Sequence, residues 1–241
     1  MARSLLRTRL RQLVRRTGYD LSRHLPTVAD LLRQRRIDVV FDVGANVGQY
    51  GSELRDWGYR GRIVSFEPLA AAYADLTRRA ARDGAWVAHP FALGASETRA
   101  DLNVSDLSVF SSLRAPLDAV LAYDIRAATV TRESVAVRRL DAIFEAHCAP
   151  GERAFLKIDT QGYEPDVLDG GSGVLDRFDG IQLELSTRQW YEGEALADVM
   201  ISRMAALGFV LGQIAPVAYD PHEGSTTLLQ IDAIFVRPQS G

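Results

Sequence analysis

From Ile37 to the end of the chain, short apolar segments rich in β-branched residues alternate with segments of helical composition. Strands separated by helical connections lie parallel in one sheet, and the helices then cover both of its faces. The last two strands are joined without a helix, which predicts an antiparallel pair at the edge of the sheet. We therefore predict an α/β fold with strands at Ile37–Val43, Arg62–Phe66, Ala85–Ala88, Ala154–Ile158, Ile181–Leu185, Phe209–Ile214 and Ala233–Val236.

Residues 96–138 interrupt this alternation. Their short alternating segments, such as Arg99–Val104 and Ser134–Val137, predict either hairpin strands or a loop region inserted into the α/β pattern. No repeat and no Pro- or Ser-rich linker divides residues 37–241, so we predict one domain that follows an N-terminal extension.

The N-terminal extension, residues 1–36, is strongly basic. It carries ten Arg against Asp20 and Asp30, a balance of +8, although the whole chain has a net charge of −3. Leu6 and Leu10 stand at helical spacing with Arg between them, which predicts a basic amphipathic helix. Such a helix either packs on the domain or makes peripheral contact with an anionic membrane. Because the segment lacks the apolar core of a secretory signal, we expect a cytoplasmic protein.

The composition excludes several classes of protein. A single cysteine, Cys148, excludes an internal disulfide framework and a zinc site built from several cysteines. No apolar run reaches the roughly 18 residues that a membrane span needs. With a net charge of −3 and the basic residues concentrated at the N-terminus, we expect no nucleic-acid partner.

A glycine-containing turn joins the first predicted strand to the first helix. Gly44 and Gly48 permit backbone angles closed to other residues, and the following helix offers unpaired N–H groups to a polar ligand. Asp42 precedes the turn, where it could anchor a donor group. The spacing is G-x-x-x-G and not the G-x-G-x-x-G that cradles a dinucleotide pyrophosphate. A purely structural turn explains the pattern equally well when it is taken alone.

The second predicted strand ends in an acidic residue, Glu67, followed by Pro68. It lies about 20 residues beyond the glycine turn, where a carboxylate accepts hydrogen bonds from ribose hydroxyls in nucleotide-binding sheets. A Glu that caps the next helix is the structural alternative. The turn and Glu67 together favour a nucleoside-bearing cofactor that has no diphosphate.

Four motifs taken together, DVGANVGQY at 42–50, SFEP at 65–68, FALG at 91–94 and FLKIDTQGYE at 155–164, resemble the FkbM family of S-adenosylmethionine-dependent methyltransferases. The resemblance implies a class I methyltransferase (Rossmann-like) fold, with a seven-stranded mostly parallel sheet whose last strand is antiparallel. It also implies S-adenosylmethionine as the methyl donor. By position, the resemblance implies cofactor contacts at Asp42, Gly44, Asn46 and Gly48 for the methionine part, Glu67 and Pro68 for the ribose, Ala92 and Leu93 for the adenine, and Ser111 and Asp159 elsewhere.

Acidic residues supply the catalytic candidates. Asp159 and Glu164 follow the fourth strand of the α/β pattern, and both are expected to project toward the cofactor, where an acid could act as base or hold Mg²⁺. Glu184 lies within an apolar strand, so it is expected to face the pocket or a fixed donor. His222, in a polar loop between the last two strands, is the imidazole candidate for general base. The family often carries Glu where this chain has Gln161, and an amide cannot serve as a base.

Together with these residues, the resemblance to the FkbM family implies an O-methyltransferase that acts on a hydroxyl of a small-molecule or saccharide acceptor, such as a sugar, a glycolipid or polysaccharide precursor, or another natural product. Two alternatives remain at this point. One is a nicotinamide-dependent oxidoreductase on a similar sheet, against which the missing G-x-G-x-x-G counts. The other is a non-catalytic scaffold that retains the cofactor cleft.

Overall fold

A computed structural model describes residues 27–221 and 226–238. Within them the strands are β1 Val39–Val43, β2 Arg62–Phe66, β3 Trp86–His89, β4 Ala92–Leu93, β5 Thr98–Ser105, β6 Thr129–Arg138, β7 Ala154–Ile158, β8 Phe178–Ser186, β9 Val210–Tyr219 and β10 Leu228–Val236. The α-helices are α1 Val28–Gln34, α2 Gln49–Asp56, α3 Ala70–Ala80, α4 Asp118–Tyr123, α5 Leu140–Phe144, α6 Glu164–Gly170 and α7 Ala197–Ala206.

The main sheet has seven strands in the order β3-β2-β1-β7-β8-β10-β9. The strands β3, β2, β1, β7 and β8 are parallel, and β10 runs antiparallel to both β8 and β9. Every residue of β1 and β7 is buried, as expected for central strands of a sheet covered on both faces. The predicted α/β fold with an antiparallel last strand is confirmed.

The antiparallel pair ends the sheet, as predicted. Within this pair β10 lies next to β8, and β9 forms the edge. Two features of the strands agree with this order. Pro216 in β9 has no backbone N–H to donate to a neighbouring strand, which suits an edge strand. Most residues of β10 are buried, which suits an interior strand.

Two hydrophobic clusters lie on opposite faces of the sheet. One contains Phe41, Leu156 and Leu183 from the strands with Met200 of α7. The other contains Val40, Phe155 and Ile234 from the strands, with Leu32 of α1, Leu54 of α2 and Leu76 of α3. Because side chains alternate along a strand, neighbouring residues serve the two cores in turn.

A second sheet, in the order β4-β6-β5, confirms the predicted insertion. The strands β5 and β6 are antiparallel: Thr98 pairs with Val137 at one end and Ser105 with Thr129 at the other. The strand β4 pairs parallel to β6. Leu102 and Val135 of this sheet pack on Leu69 beside the start of α3. The insertion thus lies over the carboxyl ends of the parallel strands.

Three predictions concern residues that are wholly or partly undescribed. The basic helix of residues 1–25 and His222 lie outside the described residues, and the domain boundary at residue 36 stays a prediction. Within the extension, α1 is described, and its Ala29 and Leu32 are buried. Among the described residues, no helix combines the length and the apolar character needed to cross a bilayer.

Candidate functional site

The turn after β1 brings the ends of three strands together. The N–H groups of Gly44 and Ala45 both donate to the carbonyl of Phe66, each over 3.1 Å. Gly44 has a φ of +74°, and a Cβ placed there would lie 1.8 Å from the carbonyl oxygen of Asp159. Only glycine fits this contact. The backbone of the turn is therefore held directly between the ends of β2 and β7.

Glu67 follows β2 and reaches back to this turn. Its Oε2 accepts from the N–H of Asn46 at 2.8 Å, and its Oε1 accepts from the N–H of Leu69 at 2.8 Å. Burial raises the pKa of Glu67 to about 7, although the two backbone donors oppose the increase. Each oxygen has a second lone-pair direction with which it can accept a ribose hydroxyl.

Lys157, the only lysine in the chain, lies beneath the turn and is buried. Its ammonium lies 3.3 Å from Asp42 Oδ1, 3.4 Å from Asp159 Oδ2 and 3.1 Å from the carbonyl oxygen of Gly44. Burial by itself lowers the pKa of Lys157, but the Asp159 and Asp42 carboxylates outweigh burial and raise it above its ordinary value. Ser65 Oγ donates to Asp42 Oδ2 at 3.0 Å. This cation thus joins the glycine turn to the end of β7.

A second polar group lies where β7 and β8 end. Gln161 Nε2 lies 2.9 Å from Asp159 Oδ1 and 2.6 Å from Glu184 Oε2. In the sheet register Glu184 is opposite Asp232 of β10. Burial, followed by the charges of Asp159 and Asp232, raises the pKa of Glu184 well above its ordinary value. Burial and then Asp159 raise the pKa of Asp232 to about 6.

These groups surround a cavity of about 430 Å³. Its lining includes most of the residues predicted for the cofactor or the chemistry, namely Gly44, Asn46, Glu67, Pro68, Ala92, Leu93, Ser111, Asp159 and Glu184. The lining also includes the aromatic and apolar side chains of Tyr123, Trp190 and Val217. The turn, Glu67 and the acidic group at the ends of β7 and β8 therefore share one space.

Three of the predicted site residues that the structure describes do not line this cavity. Asp42 lies below it and is paired with Lys157. Gly48, with a φ of +86°, is the N-cap of α2 and lies next to the ring of Trp86. Glu164 was expected to project toward the cofactor, but its carboxylate folds back, because its Oε1 accepts from the N–H groups of Thr160 at 2.8 Å and Gly162 at 3.3 Å. Asp42, Gly48 and Glu164 therefore lie behind the residues that line the cavity.

Sequence reasoning missed Asp232, Gln182 and Tyr50, which line the cavity. Tyr50 OH donates to Gln182 Oε1 at 3.0 Å. Asp232 and Gln182 share with Glu184 a detectable signal, a polar side chain within an apolar strand. The sequence analysis applied that signal to Glu184 alone.

Burial makes the Glu164 charge costly to the folded state. Burial raises its pKa to about 7, well above the unfolded value, although backbone donors act in the opposite direction. A raised folded pKa gives stability that is present below the unfolded pKa of about 4.3 and lost as pH rises through 7. We expect the Glu164→Gln variant to gain about 2–3 kcal/mol relative to wild type between pH 5 and pH 8. Urea unfolding at both pH values measures this gain, and an equal pH dependence of the two proteins would contradict it.

The groups that line the cavity fit S-adenosylmethionine. Glu67 offers acceptors for ribose hydroxyls, and Phe66, Ala92 and Leu93 offer apolar surface for an adenine ring. The backbone of the Gly44 turn is open to the methionine end. When bound, S-adenosylmethionine supplies a methyl group on a positively charged sulfur, which leaves as a neutral thioether.

The same donor set does not fit Mg²⁺. Within residues 27–221 and 226–238, no three Asp, Glu, His or Cys side chains are grouped so as to hold a metal ion. The carboxylates of Asp42 and Asp159 share the Lys157 ammonium, which is the cation of this part of the site.

Fold and site together define a class I S-adenosylmethionine-dependent methyltransferase. A family model described as the methyltransferase FkbM domain matches residues 42–211, well over half of the chain. The chain belongs to the FkbM methyltransferase family. A search of curated proteins finds no significant match.

Solved structures resemble the chain at low sequence identity. Magnesium protoporphyrin IX methyltransferase from Synechocystis PCC 6803, with bound S-adenosylmethionine, is 9% identical; the match covers 88% of this chain and 76% of that one, with a TM-score of 0.47. An rRNA methylase from Streptococcus thermophilus is 11% identical, with coverage of 92% and 100% and a TM-score of 0.46. Precorrin-6y C5,15-methyltransferase from Geobacter metallireducens is 12% identical, with coverage of 92% and 95% and a TM-score of 0.44.

Proposed function

We propose that the protein transfers a methyl group to a hydroxyl of a sugar, a glycosylated precursor or a related polyhydroxylated natural product. The observation that carries this proposal is the combination of acidic and aromatic residues in the cavity lining. Asp159, Glu184 and Asp232 line the cavity together with Tyr123 and Trp190, whose ring centroids lie 4.8 Å apart. Carboxylates accept hydrogen bonds from hydroxyls, and an aromatic wall can stack on the apolar face of a sugar ring.

Methyl transfer to a hydroxyl needs alignment of the oxygen and removal of its proton. We assign the proton-accepting role to Glu184, because it lines the cavity and burial raises its pKa above that of an ordinary carboxyl, which makes it a stronger base. Asp232, opposite Glu184 on β10, is placed to hold a neighbouring hydroxyl. Asp159 carries negative charge toward the end where the charged sulfur would lie.

The acidic cavity favours a neutral saccharide acceptor over a nucleic acid. Glu53, Asp159, Glu184 and Asp232 line it, with Lys157 as the balancing cation, so the phosphates of a nucleic acid would meet like charge. The nicotinamide alternative lacks its diphosphate cradle and does not agree with the family. A cytoplasmic location and a peripheral membrane contact through residues 1–25 stay predictions.

Two measurements test the proposal in sequence. Calorimetry with S-adenosylhomocysteine, the product form of the cofactor, tests the cofactor site; absence of binding would contradict the function. Transfer of labelled methyl from S-adenosylmethionine to a panel of sugars and glycosides then tests the acceptor. Base-stable labelled product supports O-methylation. Tight cofactor binding without transfer to any sugar or other hydroxyl acceptor would favour the non-catalytic scaffold.

The Glu67→Ala variant gives the sharpest test of the cofactor site. We expect it to bind S-adenosylhomocysteine at least about 100-fold more weakly, because two hydrogen bonds from ribose to a charged acceptor are lost. Glu133→Ala is the matched control, since Glu133 Oε2 also accepts a backbone N–H at the start of α3, from Ala70 at 3.3 Å, but lies outside the cavity. An affinity for Glu67→Ala equal to that of Glu133→Ala would refute the ribose role.

A further inference from the structure

Gln161 has an unusual backbone conformation at the edge of the cavity. Its φ is +55°, in the left-handed region that side chains other than glycine rarely adopt. Ser112 Oγ donates to its carbonyl oxygen at 2.7 Å, and Glu164 holds the N–H groups of Thr160 and Gly162 on either side. Residues kept in such a conformation by their surroundings cluster at functional sites.

The strained backbone directs the Gln161 amide at two carboxylates. Its two amide hydrogens match the two acceptors, Asp159 Oδ1 at 2.9 Å and Glu184 Oε2 at 2.6 Å. The amide oxygen lies 3.1 Å from Tyr191 OH, whose single hydrogen also has the carbonyl oxygen of Phe110 within reach, at 3.0 Å. Because two carboxylates accept only hydrogen-bond donors, they fix the amide nitrogen on their side and leave the oxygen toward Tyr191.

The charges around Glu184 make the Gln161 amide important as a hydrogen-bond donor. Four charged residues act on the Glu184 carboxylate: Lys157 in β7, Asp159 just after β7, Asp232 in β10 and Glu164 in α6. Burial and three of these four charges disfavour its ionised form, and only Lys157 favours it. Gln230 Nε2 lies farther from Glu184 Oε2, at 3.4 Å. Among the described residues, the Gln161 amide therefore makes the shortest hydrogen bond to the Glu184 carboxylate.

We propose that Gln161 is a positioning residue: its amide holds Asp159 and Glu184 side by side and keeps Glu184 able to lose its proton while one oxygen stays free for the acceptor hydroxyl. The inference rests on the proposed function, in which Glu184 takes the proton of that hydroxyl. Gln161 itself neither accepts nor donates a proton in the transfer, since an amide has no useful acidity or basicity at neutral pH.

The test measures the ionisation of Glu184 directly and needs no acceptor. Protein labelled with ¹³C at the glutamate carboxyl carbons is titrated by NMR in its complex with S-adenosylhomocysteine, or without ligand if none binds. The Glu184 signal is identified by its loss in the Glu184→Gln variant. We expect Gln161→Met, which keeps the length but removes both donors, to raise the Glu184 midpoint by at least about 1 pH unit. Gln189→Met, at an exposed position outside the cavity, should leave it unchanged.

A second variant, Gln161→Glu, keeps the proposal testable if Gln161→Met does not fold. Gln161→Glu retains the oxygen that Tyr191 contacts and replaces the donor by a carboxylate, so it should raise the midpoint further. In the wild-type protein, the Gln161 side-chain amide signals should shift with the same midpoint as Glu184. An unchanged Glu184 midpoint in a folded Gln161 variant, or amide signals insensitive to that titration, would overturn the proposal. Failure of sugar methylation would leave this titration intact, so the two proposals fail separately.

Discussion

Replacing Lys157 by methionine is expected to cost about 3–5 kcal/mol of unfolding free energy, because removing one partner of a buried ion pair leaves the other charge uncompensated. Asp42 would be that charge: it is completely buried, and Lys157 lies 3.3 Å from its Oδ1. The remaining partner of Asp42, the Ser65 hydroxyl, cannot balance a full charge. Urea unfolding of the purified variant measures the loss.

Two further variants separate lost charge balance from lost packing. The double variant Lys157→Met with Asp42→Asn should regain a large part of the stability, since it no longer buries a lone carboxylate. Arg33→Met breaks the exposed pair of Arg33 with Asp30 and should cost less than about 1 kcal/mol. A Lys157→Met loss as small as that of Arg33→Met would show that the buried pair does not hold the turn in place.

Substituting alanine for Gly44 is expected to cost about 3–5 kcal/mol and to weaken S-adenosylhomocysteine binding more than about 100-fold. The added Cβ would lie 1.8 Å from the Asp159 carbonyl oxygen, a backbone atom that can move only with the end of β7. Displacing that strand end separates the turn from Asp159, and both line the cavity. Calorimetry and urea unfolding on the same protein measure the two losses.

Gly58 supplies the matched control for this clash. Its φ of +90° is as unfavourable for alanine as that of Gly44, but no atom lies within 4 Å of a Cβ built there. Gly58→Ala should therefore cost only the backbone term of about 1 kcal/mol and leave cofactor binding intact. Equal effects at the two glycines would mean that backbone conformation, and not the contact with β7, explains the requirement for glycine.

The local parts of the site could be read from the sequence because each depends on neighbours along the chain. The strand that ends at Val43, the turn at Gly44 and the carboxylate after β2 are consecutive features of a βαβ unit, and all parallel strands end at one edge. The order of β9 and β10 could not be read in this way. Both strands are apolar, and the hairpin between them is compatible with either strand at the edge.

Side-chain direction at the site also required the structure. Asp159 and Glu164 are five residues apart and look equivalent in the sequence, yet Asp159 lines the cavity and Glu164 turns back to the N–H groups of its own loop. Those N–H groups belong to Thr160 and Gly162 in the loop before α6, and the carboxylate of the first helical residue satisfies them. Such local competition for backbone donors is decided by the geometry of the turn and not by the residue types.

The sequence by itself determined the α/β class, the glycine turn after β1, the carboxylate after β2 and the presence of acids after β7, because strand periodicity and turn chemistry are local. Only the tertiary structure decided that Asp232 lies opposite Glu184, that Lys157 compensates Asp42, and that Gln161 bridges two carboxylates. The first two contacts join residues that are distant in the chain, and the third depends on the strained backbone turn at Gln161. Strand order and register, which arise from packing of the whole sheet, bring them within hydrogen-bonding distance.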